Sequence, residues 1–347
     1  MNPIKLLFIK TLTVILIIIP IYIIISFFCF STDENSTDLE YNKEFNSKYN
    51  VFSIPIPDKL DFAGENVPLK LFDVRESLDR ELHVNTYWQS QTMFYLKKAN
   101  RYFPIMEPIL KRNNIPDDFK YLAVIESGLS NVTSPSGAKG VWQFLPNTAK
   151  EFGLEVNDEV DERYHLEKST QAACKYLNEA YKIFKNWTLV AASYNVGMTS
   201  LTNSLKNQRV DNYYDLLLNE ETARYPYRII SIKLIMSQPN NYGFHFRKKD
   251  LYSNIPSDIV KIDSSIQDLT NFAFLNKINY KILKLFNPWL RQNILTNKDK
   301  KTYEIKIPKE GFREIIINEI EYNEIFSPEE NKTIISDSIS NIENIQN

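Results

Sequence analysis

The chain has 347 residues, 41 Lys and Arg against 43 Asp and Glu, 43% hydrophobic residues and 8 glycines. That length allows roughly two domains and enough apolar material for a core, which excludes a disordered chain or a disulfide-stapled miniature. A net charge of −2, with both signs mixed along the chain, leaves no cationic stripe for a phosphate backbone, so nucleic acid is excluded as an expected partner.

No charge falls between Lys10 and Asp33, and residues 11–30 are almost wholly Ile, Leu, Val and Phe. A helix of about 20 such residues spans a bilayer core of about 30 Å. Residues 1–32 therefore read as an N-terminal membrane helix, either an anchor or an uncleaved signal. Lys5 and Lys10 precede the run while Asp33, Glu34, Asp38 and Glu40 follow it, which sends the rest of the chain out of the cytoplasm and into the cell envelope. Cys29-Phe30-Ser31 is a poor small-x-small cleavage site, which favours retention. Cys29 and Cys174 are not expected to pair.

Residues 33–72, with Pro55, Pro57 and Pro68, lack helical periodicity and read as a linker. Over residues 74–113 the apolar positions recur at helical spacing, which predicts a buried face of Leu78, Leu82, Trp88, Met93, Phe94 and Leu96. Pro116, Asp117 and Asp118 open a further helix, and Gly128 closes it. Five of the eight glycines fall between Gly128 and Gly197, marking the stretch where loop geometry is most demanding. Helices are expected at 165–184, 188–195 and 224–236, the middle one buried, and the helical domain occupies residues 74–245. Residues 250–312 read as a small mixed module with helical patterns at 266–275 and 278–286 and a strand-like alternation at 303–307. The polar tail 327–347 is expected to be disordered.

In the apolar segment Tyr121-Leu122-Ala123-Val124-Ile125-Glu126-Ser127-Gly128 one carboxylate stands at the end of a helix. Burial and the negative helix end both raise a carboxyl pKa, so Glu126 is the candidate general acid. A solvated glutamate on an outward face is the alternative from these residues alone. Downstream lie Ser134-Pro135-Ser136-Gly137-Ala138-Lys139-Gly140-Val141-Trp142-Gln143-Phe144-Leu145-Pro146, then Ser193-Tyr194-Asn195-Val196-Gly197, then Glu221-Thr222-Ala223-Arg224-Tyr225.

In order and spacing, these four elements resemble the lytic transglycosylase family with its goose-lysozyme-like domain. There a Glu-Ser pair is followed by a Gly-hydrophobe-x-Gln-x-x-Pro loop, an Ala-Tyr-Asn-x-Gly element and a Glu-Thr-x-x-Tyr element; Trp142 points to its membrane-bound members. Leu145 stands where many members carry methionine, and Ser193 replaces the commoner alanine. The resemblance implies an all-α, lysozyme-like catalytic domain. It implies cleavage of peptidoglycan glycan strands between N-acetylmuramic acid and N-acetylglucosamine, with a 1,6-anhydro product. It makes Glu126 the acid and then the base, with Tyr194 hydrogen-bonding it. Ser134 and Gln143 would contact the sugar, Asn195 would line the cleft, and Glu221 and Tyr225 would close it. Trp142 fits either core packing or sugar stacking. A hydrolytic muramidase and an idle wall-binding scaffold are the rival readings.

No LysM repeat is recognised in residues 250–347, which resemble instead a helical stretch that precedes such repeats in some relatives. His83, His165 and His245 lack metal-ligand spacing, and neither metal nor cofactor is expected. Asp158, Glu159, Asp161 and Glu162 read as a solvated turn.

Overall fold

The computed structural model describes residues 51–311 together with Lys43 and Arg313. The apolar run at 11–30, Cys29 and the tail 327–347 lie outside these residues. No helix among the described residues is long and apolar enough to cross a membrane. The described residues from Ile54 onward belong to one compact unit.

Eight helices build its main part. The first, α1 (Phe72–Tyr87), presents Val74, Leu78 and Leu82 at every fourth position, and all three are fully buried. It is followed by α2 (Gln89–Arg112), a 3₁₀ turn at Asp117–Phe119, α3 (Lys120–Ser127) and α4 (Pro146–Glu151). Then come α5 (Leu166–Phe184), α6 (Trp187–Val196), α7 (Met198–Gln208) and α8 (Glu220–Ser237). The centre of α6 is Leu189-Val190-Ala191-Ala192-Ser193, wholly buried, so this helix is surrounded on all sides, and Asn186 caps it by accepting from Leu189 N at 2.8 Å. Helix α8 packs on α1, α3 and α6 and buries Ile229, Ile230, Ile232 and Ile235. Cys174 of α5 is a free, buried thiol.

The linker expected at 33–72 departs from that reading over its second half. A short hairpin of β1 (Asp61–Phe62) and β2 (Glu65–Asn66) drives Phe62 into the core, where Leu60, Val67 and Leu69 are also buried. Its polar half is anchored too: Asp118 accepts from Ala63 N at 2.7 Å, and Glu65 accepts from Trp187 N and Thr188 N at 2.5 and 3.0 Å. The face predicted for 74–113 also needs correction. Trp88 is 59% exposed and Phe94 46%, because the chain breaks at Trp88 between α1 and α2 and the helical phase restarts there.

The C-terminal module consists of β3 (Ser257–Ile262), α9 (Leu269–Leu275), α10 (Tyr280–Phe286) and β4 (Tyr303–Pro308). Its strands pair antiparallel from Ser257 opposite Pro308 to Ile262 opposite Tyr303. A second core forms around Leu269, Leu283, Trp289, Leu290, Leu295 and Ile305, and it also takes in Val160 and Tyr164 from the helical part. The module is therefore not a simple appendage.

Candidate active site

Glu126 occupies the last turn of α3. Gly128 caps that helix at φ +57, and a Cβ there would lie 2.7 Å from the Tyr95 ring. Burial pushes the Glu126 carboxyl up to about 7; the hydrogen bond from Tyr225 and the charge of Arg228 oppose the shift, while the charge of Glu221 adds to it. The donor on Oε1 is the hydroxyl of Tyr225, a residue of α8 only 2% exposed. Tyr194, the expected donor, instead donates its hydroxyl hydrogen bond to Trp142 O at 2.8 Å. Its ring is held among Trp142, Phe144 and Tyr176, which turns it toward the loop backbone.

That loop carries Ser134 and Gln143. Lys139 bridges to both Thr133 and Phe144, folding the segment back on itself. Ser134 closes its first turn, with its N–H donating to Ala138 O at 2.9 Å and its hydroxyl accepting from Ala138 N at 3.0 Å. Gln143 has φ +50, uncommon for a residue with a side chain, and its Nε2 donates to Gly140 O at 2.7 Å and Val132 O at 3.2 Å. Ser127, adjacent to Glu126, donates to Val141 O at 2.8 Å and so ties this loop to the helix of the acid. Trp142 is fully buried, with Nε1 donating to Thr170 Oγ1 at 2.9 Å, which settles it as core.

Asn195 and Glu221 meet as well. Asn195 Nδ2 donates to Glu221 Oε1 at 3.1 Å, and its Oδ1 accepts from Thr222 Oγ1 at 2.8 Å. A cavity of about 460 Å³ opens beside them, lined by Trp88, Tyr95, Ile125, Glu221 and Arg228 among others. The structure thus gathers Glu126, Tyr225, Glu221 and Asn195 in one constellation and sets Ser134 and Gln143 on the adjoining loop. Ser127 and Arg228 were not picked out from the sequence. The first has a signal in the Glu-Ser pair, whereas Arg228 depends on α8 crossing α3, where its guanidinium donates to Ile125 O at 3.3 Å.

The acids at 158–162 do not form the solvated turn expected of them. Asp158 is exposed, but Asp161 and Glu162 are 3% and 5% exposed, paired with Arg163 and Lys168 respectively. A charge cluster in sequence reads as solvated unless its partners, here two basic side chains folded back beside it, can be foreseen. Among the described residues no group of three or more His, Cys, Asp or Glu could hold a metal ion.

Two outcomes test this geometry. Gly140 has φ +81, and a Cβ there would lie 1.8 Å from Arg163 O, whereas Gly137 at φ +84 has open space around it. Gly140→Ala is expected to destabilise by at least about 2–3 kcal/mol and Gly137→Ala by about 1–2, the backbone strain alone, as measured by denaturant unfolding. For Glu126, a carboxyl whose pKa is about 7 folded against 4.5 unfolded contributes stability that is complete below the lower value and lost as pH climbs through the higher. Glu126→Gln is therefore expected to raise the Tm above that of the wild type at about pH 8 and to change it little near pH 4.

Two segments of the chain match models of known domains. Residues 103–216 match the model of the transglycosylase SLT domain, and residues 258–311 that of the soluble lytic transglycosylase C-terminal LysM-like domain. The chain thus carries an SLT transglycosylase domain followed by a LysM-like domain. It is homologous to membrane-bound lytic murein transglycosylase D of Escherichia coli (strain K12), with 24% identity over 250 residues, 70% of this chain and 54% of that protein. It spans about half the length of that relative. A putative tributyltin chloride resistance protein of Alteromonas sp. (strain M-1) is 26% identical over 112 residues, 32% of this chain and 54% of its own. The 70 kDa soluble lytic transglycosylase Slt70 from Escherichia coli matches in structure over 51% of this chain and 33% of its own, with 17% identity and a TM-score of 0.35. The LysM-like match corrects the reading of residues 250–347 as free of such a domain. The module's first strand, Ser257–Ile262, was missed because Ser-Asp-Ile-Val-Lys-Ile lacks the strict alternation that marks a strand, and its partner lies about 45 positions later.

Proposed function

We propose that this protein is a lytic transglycosylase acting on peptidoglycan, cleaving the β-1,4 bond between N-acetylmuramic acid and N-acetylglucosamine and leaving a 1,6-anhydro-muramic end. The observation that carries this reading is a carboxyl with pKa about 7, under the hydroxyl of Tyr225 and beside a polar loop. Such a group is protonated often enough at neutral pH to donate, and acidic enough to do so. Glu126 gives its proton to the leaving glycosidic oxygen as the C1–O4 bond breaks. The substrate's own N-acetyl carbonyl, oriented by Ser134 and Gln143, stabilises the positive sugar centre. The Glu126 carboxylate then takes the proton of the C6 hydroxyl as O6 bonds to C1, so the enzyme returns to its starting state without consuming water.

Asn195 and Glu221 belong to the wall of the cleft in this reading. The charge of Glu221 has a second effect, because it favours the protonated form of Glu126. The apolar run at 11–30 serves as the membrane anchor, with the catalytic domain on the extracytoplasmic side, as expected for a homologue of a membrane-bound enzyme. No cofactor takes part in these steps.

The proximity of Glu221 supports one rival, a muramidase in which the second carboxylate activates water. Mass spectrometry of the muropeptides released from purified murein separates the two. Anhydro-muramic ends are expected; reducing muramic acid, together with an inactive Glu221→Gln variant, would establish the hydrolase instead.

A further inference from the structure

The loop that bears Ser134 and Gln143 is gripped from behind by Arg163, a residue outside the proposed machinery. Its guanidinium, 3% exposed, donates from Nη1 to Gly137 O and Phe144 O, each at 3.2 Å. These two carbonyls lie on opposite arms of the loop, so one planar group closes it. The other side of the guanidinium is fixed by Asp161, with Nε to Oδ1 at 2.8 Å and Nη2 to Oδ2 at 2.7 Å. The Arg163 carbonyl is the atom against which Gly140 packs, so backbone and side chain hold the same loop.

Asp161 is in turn set by the C-terminal module. Its N–H donates to Trp289 O at 2.9 Å, Val160 bridges to Leu290, and Glu159 O accepts from Arg291 N at 2.7 Å. Val160 and Tyr164, on either side of the Asp161–Arg163 pair, are buried in the module's core, and the Tyr164 hydroxyl lies 3.2 Å from Thr133 Oγ1 at the start of the loop. The segment 159–164 thus has the module on one side and the active-site loop on the other. Gln143 supplies the reason such support matters. A non-glycine residue at positive φ persists only where its surroundings over-determine it. Its Nε2 is used inside the loop, which leaves Oε1 to meet a substrate N–H.

We propose that the C-terminal LysM-like module braces the active site, and that Arg163 is the positioning residue through which it holds Gln143 in its working conformation. The inference rests on the proposed contact of Gln143 with the sugar. It gives the module a part in turnover on soluble glycan, separate from any attachment to the wall.

The test combines kinetics with hydrogen exchange on the full chain. Arg163→Lys keeps the charge but loses the planar fork that reaches both carbonyls. Its kcat/KM on soluble glycan oligomers is expected to fall by up to about 10²-fold, with the alkaline limb of the pH profile unmoved. Combined with Gln143→Ala, it should cost little more than Gln143→Ala alone, whereas a merely structural residue would multiply the losses. Amide exchange across residues 134–144 should quicken in Arg163→Lys and also in Leu290→Ala, a change made wholly within the module. Asp161→Asn, which keeps shape and weakens the grip on Arg163, serves if the lysine variant does not fold. Multiplying kinetic losses, or unchanged exchange over 134–144 in these variants, would overturn the brace. A wild type without activity on glycan, combined with quickened exchange in both variants, would overturn the transglycosylase reading and leave the brace standing.

Discussion

Glu126→Gln is expected to lower kcat on murein by about 10²-fold or more while binding of the glycan persists. The amide keeps the shape of the side chain, and its oxygen still accepts from Tyr225. What it removes is the proton that must leave Glu126 in the first step and return in the second. The wild-type pH profile follows from the same carboxyl. Activity as an acid requires the protonated form, so kcat/KM should decline above about pH 7. Tyr225→Phe removes the hydrogen bond that stabilises the carboxylate, which raises the pKa and should carry the alkaline limb upward; removing the Glu221 charge should carry it downward. Two limbs displaced in opposite directions identify Glu126 as the titrating group. An alkaline limb that ignores both substitutions would assign it elsewhere, and retention of most activity in Glu126→Gln would end the single-acid mechanism.

Glu126 stood out as the candidate acid because two independent signals converge on it. An acid placed in an apolar helical run is chemically conspicuous, and the elements at 134–146, 193–197 and 221–225 follow it in the order and spacing of the family the chain resembles. Its hydrogen-bond partner was less legible. Tyr194 and Tyr225 both stand in matching elements, and the choice between them depends on where α8 crosses α3, which is a property of packing. Trp142 shows the same limit. Its residue type suits a sugar platform as well as a core, and only the burial of its Nε1–H against Thr170 decides.

Among the folded elements, the long periodic ones were readable. The helix expected at 165–184 is α5 (Leu166–Phe184), and that expected at 224–236 begins four residues earlier, at Glu220, where Asn219 caps it through Thr222 N. Short or irregular elements were not. Residues 54–70 carry prolines and no helical period, yet Phe62 and Val67 are buried by a tight hairpin whose partners lie far along the chain. The same non-locality hid the pairing of Ser257–Ile262 with Tyr303–Pro308.

Ending the chain after residue 245 is expected to abolish cooperative unfolding or to lower the Tm steeply, although the motifs alone, all complete by Tyr225, describe a catalytic domain long enough to stand by itself. The reason lies in the shared core. Val160 and Tyr164, 1% and 6% exposed, are packed by the module, and re-exposing two such side chains costs roughly 3–6 kcal/mol, a large share of the ~5–15 kcal/mol that keeps a domain folded. Polar partners vanish with them. Glu155 loses Tyr303, Glu159 loses the Thr296 N–H at 2.6 Å and its hydroxyl at 3.0 Å, and Glu167 loses Lys306. On the α2 side, the Lys97 carbonyl and Arg101 lose their bonds to Tyr252 and Ser253. The damage falls on 155–167, the segment that carries Asp161 and Arg163, so any truncated protein that folds should still be impaired on soluble glycan. Circular dichroism melts of the two lengths decide the matter: a truncated protein that unfolds cooperatively within a few degrees of the full chain would show that the helical core needs nothing from the module.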